Sequence, residues 1–114
     1  MIMYEQQSPI LNSRASWFEI KLFLGTAAAK DHEALNHTAG ERRALLVFCR
    51  QLRGSEPDWA RARAVAYEAG WGEIQFLNAS TVDPASAELD ETARASYQDA
   101  MARGSALIVY SDPV

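Results

Sequence analysis

The chain has few of the residues from which reactive or cross-linked sites are built, with one cysteine and two histidines in 114 residues. Because Cys49 is alone, no disulfide can form within the chain, and a reducing compartment, the cytoplasm, is expected. No apolar run is long enough to cross a membrane, and the first residues lack the basic start and apolar stretch of a signal peptide. We therefore expect a cytoplasmic protein without a membrane segment.

The bulk composition is ordinary for one globular domain, with 48% apolar and 23% charged residues. A chain of this length can bury a core without a metal or a disulfide. The net charge of −4 argues weakly against nucleic acid or an anionic membrane as the partner. Arginine outnumbers lysine nine to two and alanine is abundant, which we take as the mark of a bacterium with a GC-rich genome.

One local pattern occurs twice. An alanine-rich segment ends at Gly70 and leads into the strand-like run 71–76, and another ends at Gly104 and leads into 105–110. Glycine closes a helix well because it adopts the left-handed conformation without a Cβ penalty. The pattern predicts helices that lead directly into strands, as in an α/β fold.

Periodicity and capping residues predict six secondary-structure elements. Alternating apolar and polar residues indicate a strand that Gly25 ends. Thr38 followed by Glu41 has the spacing of a capping box and predicts a helix that ends at Gly54. The predicted order is strand, helix, helix, strand, helix and strand, over residues 17–24, 39–53, 55–69, 71–77, 83–103 and 107–110. Residues 1–16 are predicted to be a flexible N-terminal arm and 17–114 a single domain, while 26–38 indicate no one structure.

The predicted fold class is α/β, with α+β as the fallback. We expect a two-layer domain with a small, three-stranded, mainly parallel sheet and all helices on one face. The last strand should be central because Leu107–Tyr110 is apolar on both sides. The other face would then expose an apolar centre with charged rims, which needs a cover. The residues expected on this open face are Trp17, Glu19, Lys21, Phe23, Glu73, Gln75, Leu77, Leu107 and Val109.

Candidate catalytic and metal-binding residues are few. His32 and His37 are five residues apart, which on a helix separates them by about 140°, so no metal site is expected. Cys49 lies among apolar residues that include Leu45 and Phe48, and is expected to be a buried, inert thiol. The chain contains neither a glycine-rich phosphate loop nor a G-x-S-x-G elbow. No catalytic residue, metal or cofactor is therefore assigned.

The densest basic cluster lies on the predicted helix 39–53, where Arg42, Arg43, Arg50 and Arg53 share one side. One interpretation is a solvated helix face whose arginine stems cover apolar surface. The other is a docking surface for an acidic protein or for phosphates. No aromatic residues alternate with these arginines, so nucleic acid is not the expected ligand.

The pattern favours a small non-catalytic protein-interaction domain that acts through the open sheet face. We expect a homodimer, since twofold dimers are the commonest soluble oligomers, or a complex with another protein as a regulatory or toxin-neutralising partner. The alternative is a small-ligand-binding domain or an enzyme with a polar site at the carboxyl ends of the strands. That site would be lined by Thr26, His32, His37, Asn78, Ser80, Thr81 and Asp112.

Overall fold

The computed structural model describes residues 17–30 and 41–113, which form four strands and two helices. In chain order these are β1 (Phe18–Ala29), β2 (Arg42–Leu52), α1 (Trp59–Glu68), β3 (Trp71–Thr81), α2 (Glu91–Arg103) and β4 (Ser105–Pro113). The strands form one sheet in the order β3-β1-β2-β4, and every neighbouring pair is antiparallel. The predicted three-stranded, mainly parallel sheet is therefore wrong.

The largest local error is the predicted helix over 39–53, where the structure has strand β2. In β2, Leu45 and Val47 pack on one face of the sheet, while Leu46 and Phe48 pack on the other. A strand that is covered on both faces is apolar throughout, so its sequence also fits helical spacing. Pairing with β1 along eleven residues stabilises the strand instead.

The antiparallel pairing of β1 with β2 leaves the other two strands at the edges. β3 lies on the outer side of β1, and β4 lies on the outer side of β2. β4 is therefore not the central strand that its apolar sequence predicted. Its residues are apolar on both sides because both faces are covered: Leu107 and Val109 belong to the cluster under α1, and Ala106 and Ile108 to the cluster under α2.

The two helices cover opposite faces of the sheet, not one face as predicted. α1 packs Ala62 and Ala66 against the face that carries Phe23. α2 packs Ala100 against the face that carries Ile20. Because the strands are apolar on both sides, each face needs its own cover. Neither described helix is long and apolar enough to span a bilayer.

The C-terminal ends of the helices are confirmed, while their starts are later than predicted. α2 closes at Gly104 with a φ of 109°, and Gly70, which follows α1, has a φ of 104°. The N-caps are Asp58 and Asp90, not residues 55 and 83, and each carboxylate accepts the amide three residues further on. Several residues near a helix start have capping side chains, so the local pattern does not single out the one that the fold uses.

Candidate functional site

The sheet face that was expected to be open is covered by α1. Phe23 is fully buried there and its ring lies 5.2 Å from that of Trp59 in α1, measured between centroids. Leu107 and Val109 pack against the same cluster. The members of the predicted face that remain exposed are Trp17, Glu73, Gln75 and Leu77. The predicted residues do not form one open surface.

Two polar members of the predicted face stabilise the fold. Glu19 accepts the Gly54 amide (3.0 Å) and pairs with Lys21 Nζ (3.0 Å), which also donates to Thr81 Oγ1 (2.7 Å). Burial acts to raise the pKa of Glu19, but these hydrogen bonds and the charges of Lys21 and Arg53 hold the pKa below its ordinary value. The carboxylate is therefore charged and satisfied at neutral pH.

The predicted basic stripe does not form, because alternate residues of a strand point to opposite faces. Arg42 donates to Thr26 Oγ1 (2.7 Å) and to the Glu73 carbonyl (2.9 Å) across the sheet. Arg43 is buried and pairs with Glu41. Arg42 therefore connects β2 to β1 and β3, while Arg43 is buried beside Glu41, and the two arginines do not share a surface.

The other two arginines of the predicted stripe bind backbone carbonyls. Arg50 Nη1 donates to the Met101 carbonyl (2.7 Å) near the C-terminus of α2, where the helix dipole favours a cation. Arg53 Nη2 donates to the Phe18 carbonyl (3.2 Å) at the start of β1. Arg50 therefore connects β2 to α2, and Arg53 binds the start of β1, so the two arginines do not form a common docking surface.

The residues of the predicted polar site are not brought together. Thr26 lies within β1 and Asp112 lies on β4, with β2 between these strands. The members on β3, at the opposite edge from β4, are Asn78, Ser80 and Thr81. An antiparallel sheet does not direct all carboxyl ends to one side, so the expected convergence fails. His32 and His37 lie outside the described residues, among which no group of His, Cys, Asp and Glu is placed to hold a metal ion.

Cys49 is buried in β2, as its apolar neighbours predicted. Burial raises the pKa of its thiol to about 11, although the nearby charge of Arg61 acts in the opposite direction. Since the thiolate is the nucleophile, this thiol is unreactive near neutral pH.

The sheet has two edges, and β3 forms the irregular one. Its register with β1 shifts just before Gly25 and again between Thr26 and Ala28. At the second shift Glu73 has a left-handed φ of 47°, and its carbonyl accepts a hydrogen bond from Arg42 (2.9 Å). Irregularities of this kind bend an edge strand and hinder the addition of another strand.

β4 forms the other edge, and its pairing with β2 is regular from Ser105 to Val109, with one register shift between Val109 and Pro113. The Arg50 amide donates to the Gly104 carbonyl (2.9 Å), which fixes the alternation along the strand. Backbone groups of residues 106 and 108 therefore point toward β2, and those of residues 105, 107 and 109 point outward. No strand on that side is formed by any residue that the structure describes.

The outer edge of β4 lacks the usual protection against strand addition until Asp112 and Pro113 at its end. The segment Ser105–Ser111 contains no charge and no proline. Leu107 and Val109 are half-buried, and Tyr110 is 47% exposed. Next to Tyr110, a cavity of about 320 Å³ opens between β4 and the first turn of α2, with Asp90 in its lining.

Sequence reasoning named Leu107 and Val109 but missed the edge to which they belong. The uncharged run 105–111 is the signal that could have indicated it. The same run predicts a central strand equally well, because a central strand and an edge strand that binds a further strand are both free of charge.

Comparison with known proteins gives no further guide to this edge. No protein-family model matches the chain, and no match was found among curated proteins or solved structures.

Proposed function

We propose that the protein is a small non-catalytic protein-interaction domain that binds an extended polypeptide segment along the outer edge of β4. The regularity of the two edges carries the proposal: β3 has two register shifts within its length, whereas β4 pairs regularly from Ser105 to Val109 and shifts register only beyond Val109. Natural proteins protect the edges that must not pair. A regular edge without such protection is therefore suited to binding an added strand.

The backbone of β4 supplies the binding groups. The outward N–H groups of Ser105, Leu107 and Val109 donate to an added strand, and their carbonyls accept from it. Each such bond contributes about 0.5–1.5 kcal/mol net. The added strand also covers Leu107, Val109 and Tyr110, and apolar burial contributes about 25 cal/mol per Å². The cavity beside Tyr110 offers a place for a side chain of the bound segment.

The cytoplasm is the proposed location of this interaction. With one cysteine the chain can form no internal disulfide, which is usual for proteins of a reducing compartment. Fractionation of the host cells tests the location, and recovery of the protein from a secreted or periplasmic fraction would contradict it.

Photo-crosslinking in cells tests the proposed function. The probe p-benzoylphenylalanine replaces Tyr110 on β4 in one variant and Leu77 on β3 in a matched control, since both are large side chains exposed at an edge, by 47% and 68%. We expect discrete polypeptide adducts from position 110 and none from position 77. A second substitution, Val109→Lys, places a charge beside the edge and should remove the adducts while circular dichroism shows that the variant is folded. Adducts from neither position, or equally from both, would overturn the proposal.

A further inference from the structure

We infer that the segment that binds β4 is the β4 strand of a second copy of this chain, paired antiparallel about a twofold axis at Leu107. The inference rests on the proposed function, because it takes the outer edge of β4 as the interaction site. It adds the identity of the occupant and the register of the pairing. The result is a continuous eight-stranded sheet, since each copy contributes the four strands β3-β1-β2-β4.

The alternation of β4 backbone groups is compatible with this symmetry. The outward groups belong to residues 105, 107 and 109. An antiparallel pair centred on Leu107 places Leu107 opposite its own copy and Ser105 opposite Val109. Outward groups then meet outward groups at every one of these positions, which gives about six hydrogen bonds between the copies. An axis midway between two residues, such as Leu107 and Ile108, would place inward groups opposite outward ones.

The side chains in this register are matched in size. Ser105 lies opposite Val109, and Ala106 lies opposite Ile108, so each larger residue faces a smaller one across the interface. The two copies of Leu107 meet at the axis on the face that α1 covers. All five of these residues are half-buried in one chain, and pairing covers their remaining apolar surface.

The charges at the two ends of β4 favour a second copy in the antiparallel direction. Arg103, which precedes β4, is exposed at one end, and Asp112 is exposed at the other. Asp90 and Glu91, also exposed, lie at the Asp112 end because the first turn of α2 borders Tyr110 and Ser111. Antiparallel pairing brings the Arg103 end of each copy to the acidic end of the other, twice per dimer. Parallel pairing would bring like charges together.

The cavity beside Tyr110 lies where this register needs space. It is lined in part by Asp90, Thr92 and Ile108. Residue 110 of one copy falls opposite residue 104 of the other, so the cavity receives the segment around Arg103 of the second copy. A guanidinium there lies close to the Asp90 carboxylate, which makes the cavity part of the same charge complementarity.

Sedimentation equilibrium of the full chain tests the inference through the charges. We expect a dimer whose dissociation constant rises with salt. Arg103→Glu and Asp112→Arg should each weaken the dimer by about tenfold or more, and the two together should weaken it less than Arg103→Glu alone, because Asp90 and Glu91 remain at the acidic end. Glu68→Arg is the control, because Glu68 is also exposed but lies on α1, away from β4, and it should leave the constant unchanged. Circular dichroism of each variant confirms that it folds.

A disulfide tests the register. In the proposed pair the Cα atoms of the two Leu107 residues lie about 5.5 Å apart, within the range that a disulfide bridges. Leu107→Cys should therefore give a covalent dimer under mild oxidation, while Leu77→Cys at the other edge should not. Buried Cys49, whose thiol has a pKa of about 11, does not compete.

The outcomes separate this inference from the proposed function. A monomer at all concentrations, with adducts from position 110 to other polypeptides, overturns self-pairing and keeps β4 as an interaction edge. A monomer without adducts overturns both. A dimer that ignores the charge reversals, or that fails to cross-link through residue 107, overturns the pairing proposed here.

Discussion

Gly25 of β1 is the position where one added methyl group should do most damage, because β1 and β3 approach each other closely there. The first register shift places Phe76 opposite Gly25. A Cβ on Gly25 would lie 2.5 Å from the Gln75 carbonyl oxygen and 2.9 Å from Phe76 Cδ1. The oxygen belongs to the backbone, and the Phe76 ring is packed against Phe23 and Trp59 at centroid distances of 5.7 and 5.9 Å. Neither group can withdraw without a shift of β3.

The expected destabilisation follows from these contacts. Gly25 does not have a positive φ, so Gly25→Ala would by itself stabilise the protein by about 0.4–1 kcal/mol through the unfolded state. Relief of the contact moves β3 by about 1 Å, which weakens two hydrogen bonds of about 1 kcal/mol each and disturbs the aromatic packing, with overpacking costs of about 1–3 kcal/mol. We expect a net loss of about 2–3 kcal/mol, or a Tm lower by about 10 °C.

Urea and thermal unfolding followed by circular dichroism measure this loss. Gly54→Ala is the matched control, since a Cβ there meets no atom within 4 Å and only its φ of 82° is unfavourable, at about 1 kcal/mol. The Gly25 variant should be clearly less stable than the Gly54 variant. Equal stability, or a Gly25 variant as stable as the unchanged protein, would refute the close approach of β1 and β3.

Three further substitutions test other contacts. Arg61→Ala should lower the free energy of unfolding by about 2–3 kcal/mol, because Arg61 donates to the Arg50 and Gly104 carbonyls (2.5 and 2.7 Å); full recovery by Arg61→Lys in urea titrations would contradict this. The pKa of Glu19 is lowered in the folded state, so its stabilisation is fully present above the ordinary pKa of a glutamate and is lost as the pH falls through the lowered folded-state pKa. Glu19→Gln should flatten the pH dependence of Tm on the acid side, below the ordinary pKa of a glutamate, and an unchanged slope would count against the Glu19 contacts. Glu73→Gly should raise stability by up to about 1 kcal/mol, since Glu73 has a φ of 47°, and a loss in calorimetry would refute the strain.

Local signals predicted those features whose causes are local. Gly70 and Gly104 close helices because a left-handed residue is needed at that point, whatever the rest of the fold is. The strand starts near residues 17 and 71 were also close to Phe18 and Trp71, as alternation of apolar and polar residues predicted. The strand did not end at Gly25, because the close neighbour that requires glycine there is on β3.

The candidate sites depended on contacts that local patterns do not contain. Segment 42–52 fits a helix and a strand equally, and the choice between them required β1 and β4 as neighbours. Once that segment is a strand, its arginines alternate between faces and the basic stripe is lost. With a helix on each face, the expected open surface is also lost, and the available backbone groups lie at the edge of the sheet.

The amino-acid sequence was sufficient to establish a mixed α and β chain, a buried Cys49 and the glycines that end its helices, since composition and single-residue conformations need no distant partner. Only the tertiary structure decided that all strands are antiparallel, that α1 and α2 cover opposite faces and that β4 is an edge. The reason is physical: an apolar residue indicates that its side chain will be buried, but it does not indicate which strand or helix will cover it. The outward backbone of β4 is a property of its neighbours and not of its own side chains.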